Sequence, residues 1–150
     1  MSDFQPKDPN FEQRVRDGFA RQAVMDLFGA RLLRVEPGEV DIELDYDEKL
    51  TQQGGFLHAG VVTTIADSAC GFAGLTLMPA GSDVLAVEFK MNLMRPAVGE
   101  RFVATGRVLK SGRTLTVCRG EVYAFADGVR KEVAAMQATM FCVSTAEEKP

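Results

Sequence analysis

The stretch Leu57-His-Ala-Gly-Val-Val-Thr-Thr-Ile-Ala-Asp-Ser-Ala-Cys-Gly-Phe-Ala-Gly74 holds the only histidine of the chain, His58, and, nine residues later, one acid, Asp67, among small and apolar side chains. Its length and apolarity predict a core helix over about Ala59 to Leu77, closed by Met78-Pro-Ala-Gly81, where proline cannot continue a helix and glycine tolerates the turn. An ionised carboxylate buried in such a helix is costly unless it is paired or functional. Aspartate is also about 0.7 kcal/mol worse than alanine in a helix interior. Asp67 therefore calls for a chemical role or for a neighbouring hydroxyl or amide that satisfies it, and the residue alone leaves both open.

Outward from this helix, the polar, glycine-bearing segment Asp47 to Gly55 reads as the loop that feeds it. Before the loop, Ala30 to Val35 and Val40 to Tyr46 flank Glu36-Pro-Gly-Glu39, and the alternation Asp41-Ile-Glu-Leu-Asp-Tyr46 marks a hairpin strand with one wet face. Phe11 to Phe28 carries apolar residues at helical spacing, with Gly18 expected to split it into two short helices. After the helix come four strand candidates: Val84 to Leu93, Arg101 to Lys110, Thr114 to Ala126 and Lys131 to Val143. In the first, Val87, Phe89, Met91 and Leu93 are expected on one face, against Glu88, Lys90 and Asn92. Short connections favour antiparallel pairing, so the chain predicts an α+β fold, one antiparallel sheet wrapped around a long central helix, as a single domain over residues 1–150 with a helical segment at about 11–28. Strands that are apolar or small on both faces predict a second layer, such as another subunit, over the far side of the sheet.

Composition narrows the function. With 46% hydrophobic residues, 25% charged residues and a net charge of −4, the chain can bury a real core and offers no basic surface for nucleic acid. Cys70, Cys118 and Cys142 are unevenly spaced among apolar neighbours, which reads as free thiols in a reducing compartment. One histidine leaves few metal ligands, so no metal site is expected. Residues 1–10 lack the apolar core of a secretory signal, and the polar residues of Phe56 to Ala80 weaken it as a lipid-facing span. A cytoplasmic protein without membrane partners is the expectation.

On a helix that starts near Ala59, His58 and Asp67 are about 900° apart in azimuth, on opposite sides, and about 13 Å apart along the axis. One chain cannot make them a dyad. If both serve one site, two chains supply it, which implies a homodimer with composite sites. The helix N-terminus offers unpaired N–H groups to the oxygen of a polarised carbonyl, Ala59 and Gly60 are small enough to let a ligand approach, and Asp67 could act as general base or nucleophile.

Together these residues resemble the hotdog-fold thioesterases of the phenylacetate-degradation type, whose signature is His-Gly-Gly with an acid nine residues after the histidine. Arg95-Pro-Ala-Val-Gly99 and Lys110-Ser-Gly-Arg-Thr114 also look like that family, and the similarity of element order spans about Gly29 to Val143. The resemblance implies a hotdog fold, dimers pairing into a homotetramer, and hydrolysis of acyl-CoA thioesters with no cofactor besides the CoA of the substrate. Carried over by position, it gives Asp67 the base or nucleophile role and the Ala59 N–H the carbonyl-polarising role. It also has His58 orienting the loop, Gln52 standing near the attacking water and Ser68 lining the pocket. Two positions depart from the pattern. Ala59 replaces the first glycine, which is tolerable because the backbone amide is what the role needs, and Ala86 stands where some relatives carry a serine or threonine that positions water.

For the CoA head group the candidates are Lys110, Ser111, Gly112 and Arg113, a basic turn that reads equally as a solvated hairpin; Arg95 is a weaker one. Phe56, Phe72, Leu75 and Phe89 could form an apolar acyl pocket or plain core. Three rival readings stay open: an acyl-CoA-binding protein without turnover, a hydratase or dehydratase of the same fold, and a purely structural Asp67.

Overall fold

The computed structural model describes residues 3–144. Two short helices, α1 (Phe11–Arg21) and α2 (Ala23–Phe28), precede the hairpin β1 (Arg31–Glu36) and β2 (Glu39–Asp45). A 3-10 turn at Glu48–Leu50 leads to the long helix α3 (Ala59–Leu75), followed by β3 (Ser82–Leu93), β4 (Arg101–Ser111), β5 (Leu115–Ala126) and β6 (Val129–Ser144). The six strands form one sheet in the order β1-β2-β4-β5-β6-β3, with every neighbouring pair antiparallel. The sheet curls around α3, which lies against β2 through β6, and this is the hotdog arrangement.

The close wrap is a matter of small residues. Ala66, Ala69, Cys70 and Ala73 of α3 are fully buried, and below them Gly106 of β4 is paired directly with Gly120 of β5. A Cβ at Gly106 would sit 2.3 Å from the carbonyl carbon of Ala69, so the helix backbone rests on the strand where only glycine fits. Around this contact Ile42, Leu44, Ile65 and Phe102 are fully buried, each worth about 2 kcal/mol of transfer free energy.

The C-terminal end of α3 is held by distant segments. At its C-terminus the Arg14 guanidinium of α1 donates to the carbonyls of Leu75 (2.6 Å), Met78 (3.0 Å) and Pro79 (2.7 Å) and pairs with buried Asp8 at 3.2 Å. A cation is thus placed where the last carbonyls of a helix lack partners. Thr76 ties in the β1–β2 turn by accepting the Gly38 N–H at 2.8 Å and donating to the Ala73 carbonyl at 2.6 Å.

Several sequence expectations change. α1 runs straight through Gly18 and breaks instead at Gln22, because Gly18 makes room for Phe72, whose ring edge would lie 3.2 Å from a Cβ there. α3 stops at Leu75, two residues early, with Leu77 and Met78 in hydrogen-bonded turns. β3 begins at Ser82 and β6 spans Val129–Ser144, since the two strands pair along nearly their whole length. A bulge between Ala86 and Glu88 takes Val87 out of the expected alternation and puts Val84 and Ala86 on the same face as Phe89, Met91 and Leu93. The far side of the sheet is not uniformly in need of cover: over β1, β2, β4 and β5 it carries an ionic lattice in which Arg34 pairs with Glu39 and Asp41, Arg107 with Glu39 and Glu121, and Arg101 with Glu43. Among the described residues, no helix is long and apolar enough to cross a membrane.

Candidate functional site

His58 caps α3. It adopts the extended conformation of an N-cap residue, and its Nδ1 accepts the Gly60 N–H at 2.8 Å. Gly60 has no side chain because a Cβ would approach that nitrogen to 3.0 Å. The His58 carbonyl takes the next two amides, those of Val61 (2.9 Å) and Val62 (3.1 Å). Ala59 is the exception, as its N–H makes no hydrogen bond to any described residue. That amide, at the positive end of a long helix, borders a groove of about 360 Å³ lined by Gln52, Phe56, Val62, Leu93 and Arg95 among others. The loop below is fixed by its backbone, with the Leu57 N–H donating to Ala97, the His58 N–H to Leu50 and the Gln52 N–H to Phe56. The Gln52 Oε1 accepts the Gly54 N–H, which leaves its amide nitrogen without a partner among the described residues.

Nine residues and two and a half turns beyond His58, Asp67 is half-buried and borders a separate, small cavity of about 80 Å³. The cavity is walled by Gln22, Ser68, Gly71, Phe72, Val84, Ala86 and Met140. Asp67 Oδ1 is buried with no hydrogen-bond partner, and burial pushes its carboxyl above the ordinary range. Neighbouring Ser68 does not satisfy it, because its hydroxyl donates to Gln22 Oε1 at 2.7 Å.

The structure thus brings Gln52 and Ala59 together at one end of α3 and Asp67 and Ser68 together near its middle, and a single chain does not join the two sets. His58 Nδ1 and the Gly60 N–H are spent on each other. The expected turn is shorter than its four residues: Lys110 and Ser111 are the last residues of β4, paired with Val117 and Thr116, and only Gly112 and Arg113 lie in the β4–β5 turn, outside both cavities; Gly112 donates to the Leu115 carbonyl at 2.8 Å and has no room for a Cβ, which gives this glycine a structural reason. Of the proposed acyl-pocket residues, Phe72 walls the Asp67 cavity, Phe56 borders the groove, Leu75 is core, and Phe89 lies exposed on the β3 edge. Sequence reading missed Gln22, since its only sequence-level signal is a polar residue at the end of an amphipathic run. No three His, Cys, Asp or Glu side chains among the described residues come together as a metal site.

A helix wrapped in an antiparallel sheet, with an uncommitted N-terminal amide and an uncommitted carboxylate, is the framework of one large family, and the chain belongs to it: the thioesterase superfamily, whose family model matches residues 54–131. The protein is accordingly a thioester hydrolase. A thioesterase family protein from Silicibacter pomeroyi is 51% identical to it, with a TM-score of 0.88 over 89% of this chain and 98% of that one. Human acyl-coenzyme A thioesterase 13 is 35% identical over 85 residues, 56% of this chain and 60% of its own. The PaaI protein of the E. coli phenylacetic acid degradation operon superposes with a TM-score of 0.77 over 89% of this chain and 94% of that one; at 17% identity it speaks for the fold alone.

Proposed function

We propose that the protein hydrolyses acyl-CoA thioesters to the free acid and CoA in a homodimer, Ala59 of one protomer facing Asp67 of its partner across each site. The observation that carries this reading is the pair of uncommitted groups on one helix: the Ala59 N–H without an acceptor and Asp67 Oδ1 without a donor, bordering different cavities. In the reaction the thioester oxygen accepts the Ala59 N–H, which stabilises the charge that develops there. Water gives a proton to Asp67 and its oxygen attacks the carbonyl carbon; the C–S bond then breaks, and the departing thiolate takes up the proton that Asp67 holds, which returns Asp67 to its carboxylate form. The small cavity at Asp67 suits a water, which favours the base role over the nucleophile role. The name of the human relative supports acyl-CoA as the substrate class.

The β3 edge supports the dimer. It is 12 residues long, has no strand on its outer side, and exposes Val87, Phe89 and Leu93, an edge suited to pairing with a second copy. A row of apolar side chains on the far face, Leu85 paired with Phe141 and Phe141 with Leu115, supports a second contact that makes the homotetramer. The exposed Lys110 to Arg113 turn is the proposed seat of the CoA phosphates, with Gly60 and Ser68 close to the thioester end. The free thiols Cys70, Cys118 and Cys142 suit the reducing cytoplasm.

The test is thiol release from a panel of aliphatic and aromatic acyl-CoAs, wild type beside Asp67→Asn, with molar mass followed by light scattering. Release in the wild type that falls about a hundredfold or more in the variant, with assembly unchanged, is expected. Binding without release in the wild type, conversion without free thiol, or a fully active monomer would overturn the reading.

A further inference from the structure

We propose that Gln22, from the junction of the two N-terminal helices, holds the attacking water against Asp67; this rests on the hydrolytic reading above. Gln22 stands where neither helix continues: its N–H closes α1 on the Phe19 carbonyl at 3.0 Å and its carbonyl opens α2 by accepting the Met25 N–H at 2.9 Å. Its backbone is extended there, at φ −81 and ψ 94, and its side chain reaches α3, 46 residues away in sequence.

The polar inventory of the cavity leads to the role. Three of its lining side chains are polar, Gln22, Asp67 and Ser68, and Gly71, Phe72, Val84, Ala86 and Met140 complete the wall. An ionised Asp67 can only accept. The single hydroxyl proton of Ser68 is committed to Gln22 Oε1. That bond also fixes which way the planar carboxamide faces, and its nitrogen makes no hydrogen bond to any described residue. Within one chain, the Gln22 amide is therefore the one side-chain donor that the cavity's own lining leaves free, and the volume of about 80 Å³ admits a water or two. A water there donates one proton to Asp67 Oδ1 and accepts a hydrogen bond from Gln22 Nε2, keeping its second lone pair for the carbonyl carbon. Ser68 acts through Gln22, as the group that orients it.

The experiment uses the full chain with an acyl-CoA that the wild type hydrolyses. Gln22→Met keeps the length of the side chain and removes the donor, and Gln22→Glu keeps an acceptor for Ser68 and removes the donor. In each, kcat is expected to fall about tenfold, the worth of one lost hydrogen bond, with KM within about twofold and assembly unchanged. Ala86→Ser places a hydroxyl on another wall of the same cavity. It is expected to raise the kcat of either Gln22 variant by a larger factor than it changes that of the wild type, returning most of what was lost, which a merely structural role of Gln22 would not allow. Wild-type kcat in both Gln22 variants, or no recovery with Ala86→Ser, overturns the proposal. Undiminished release in Asp67→Asn overturns the underlying site assignment instead, so the two failures are distinguishable.

Discussion

Gly106 and Gly120 face each other across β4 and β5 directly beneath Ala69 and Cys70, so the backbone of α3 rests on the sheet where two strands lack side chains. Gly106→Ala would place a methyl 2.3 Å from the Ala69 carbonyl, backbone against backbone, with no flexible side chain to yield. A loss of about 3 kcal/mol or more is expected in chemical denaturation. At Gly120 a Cβ would meet Cys70 Sγ at 3.0 Å, and the combined variant Gly120→Ala with Cys70→Ala should recover part of its loss.

Asp67 should weaken the fold that it serves. Burial raises its pKa above the ordinary carboxylate value of 3.8, so between that value and the raised one the folded protein holds more protons than the unfolded chain. Stability contributed at this position is therefore lost as pH rises through that window. Asp67→Asn is expected to melt at a higher temperature than the wild type at pH 8, the difference narrowing as pH falls toward 4. Thermal denaturation across a pH series reads this directly, and a less stable variant at pH 8 would contradict it. Activity should follow the same titration, with the acid limb of kcat/KM displaced upward from the usual carboxylate range.

His58 holds the end of α3 through one accepted hydrogen bond, that of the Gly60 N–H at 2.8 Å. His58→Ala should cost about 1 kcal/mol and lower thiol release without abolishing it. Serine is also a good N-cap, so His58→Ser should restore both stability and most of the rate. Stability without rate in that variant would show that the imidazole takes part in the chemistry.

Arg14 gathers three carbonyls at and just beyond the end of α3 and pairs with Asp8, which is only 4% exposed. Arg14→Ala leaves those carbonyls and that carboxylate without their partner. An expected loss of about 2 kcal/mol is measurable by denaturation. Lysine, a point charge without the planar fork, should restore only part of it.

Much of this architecture is legible in local pattern. The run around Asp67 reads as a helix from its length and apolarity and from the proline and glycine that close it, and the opposed azimuths of His58 and Asp67 follow from helical geometry before any coordinates. Gly18 is misleading because a glycine that breaks a helix and a glycine that admits the Phe72 ring look alike in sequence. The bulge at Val87 gives no compositional signal, so the face assignment of β3 slips there. Gln22 is the instructive omission. Its partner Ser68 lies 46 residues away, and only the docking of the N-terminal helices brings them together.

The two margins of the sheet differ in kind. β1 is 6 residues long, is interrupted by a bulge between Leu32 and Arg34 and carries the charges of Arg31 and Arg34, whereas β3 is 12 residues long and exposes Leu85, Val87, Phe89 and Leu93. The proposed pairing through β3 would consume the adhesive margin of both copies and leave only inert ones outside. Such a sheet can double once and then stops, which separates a finite assembly from an open-ended filament.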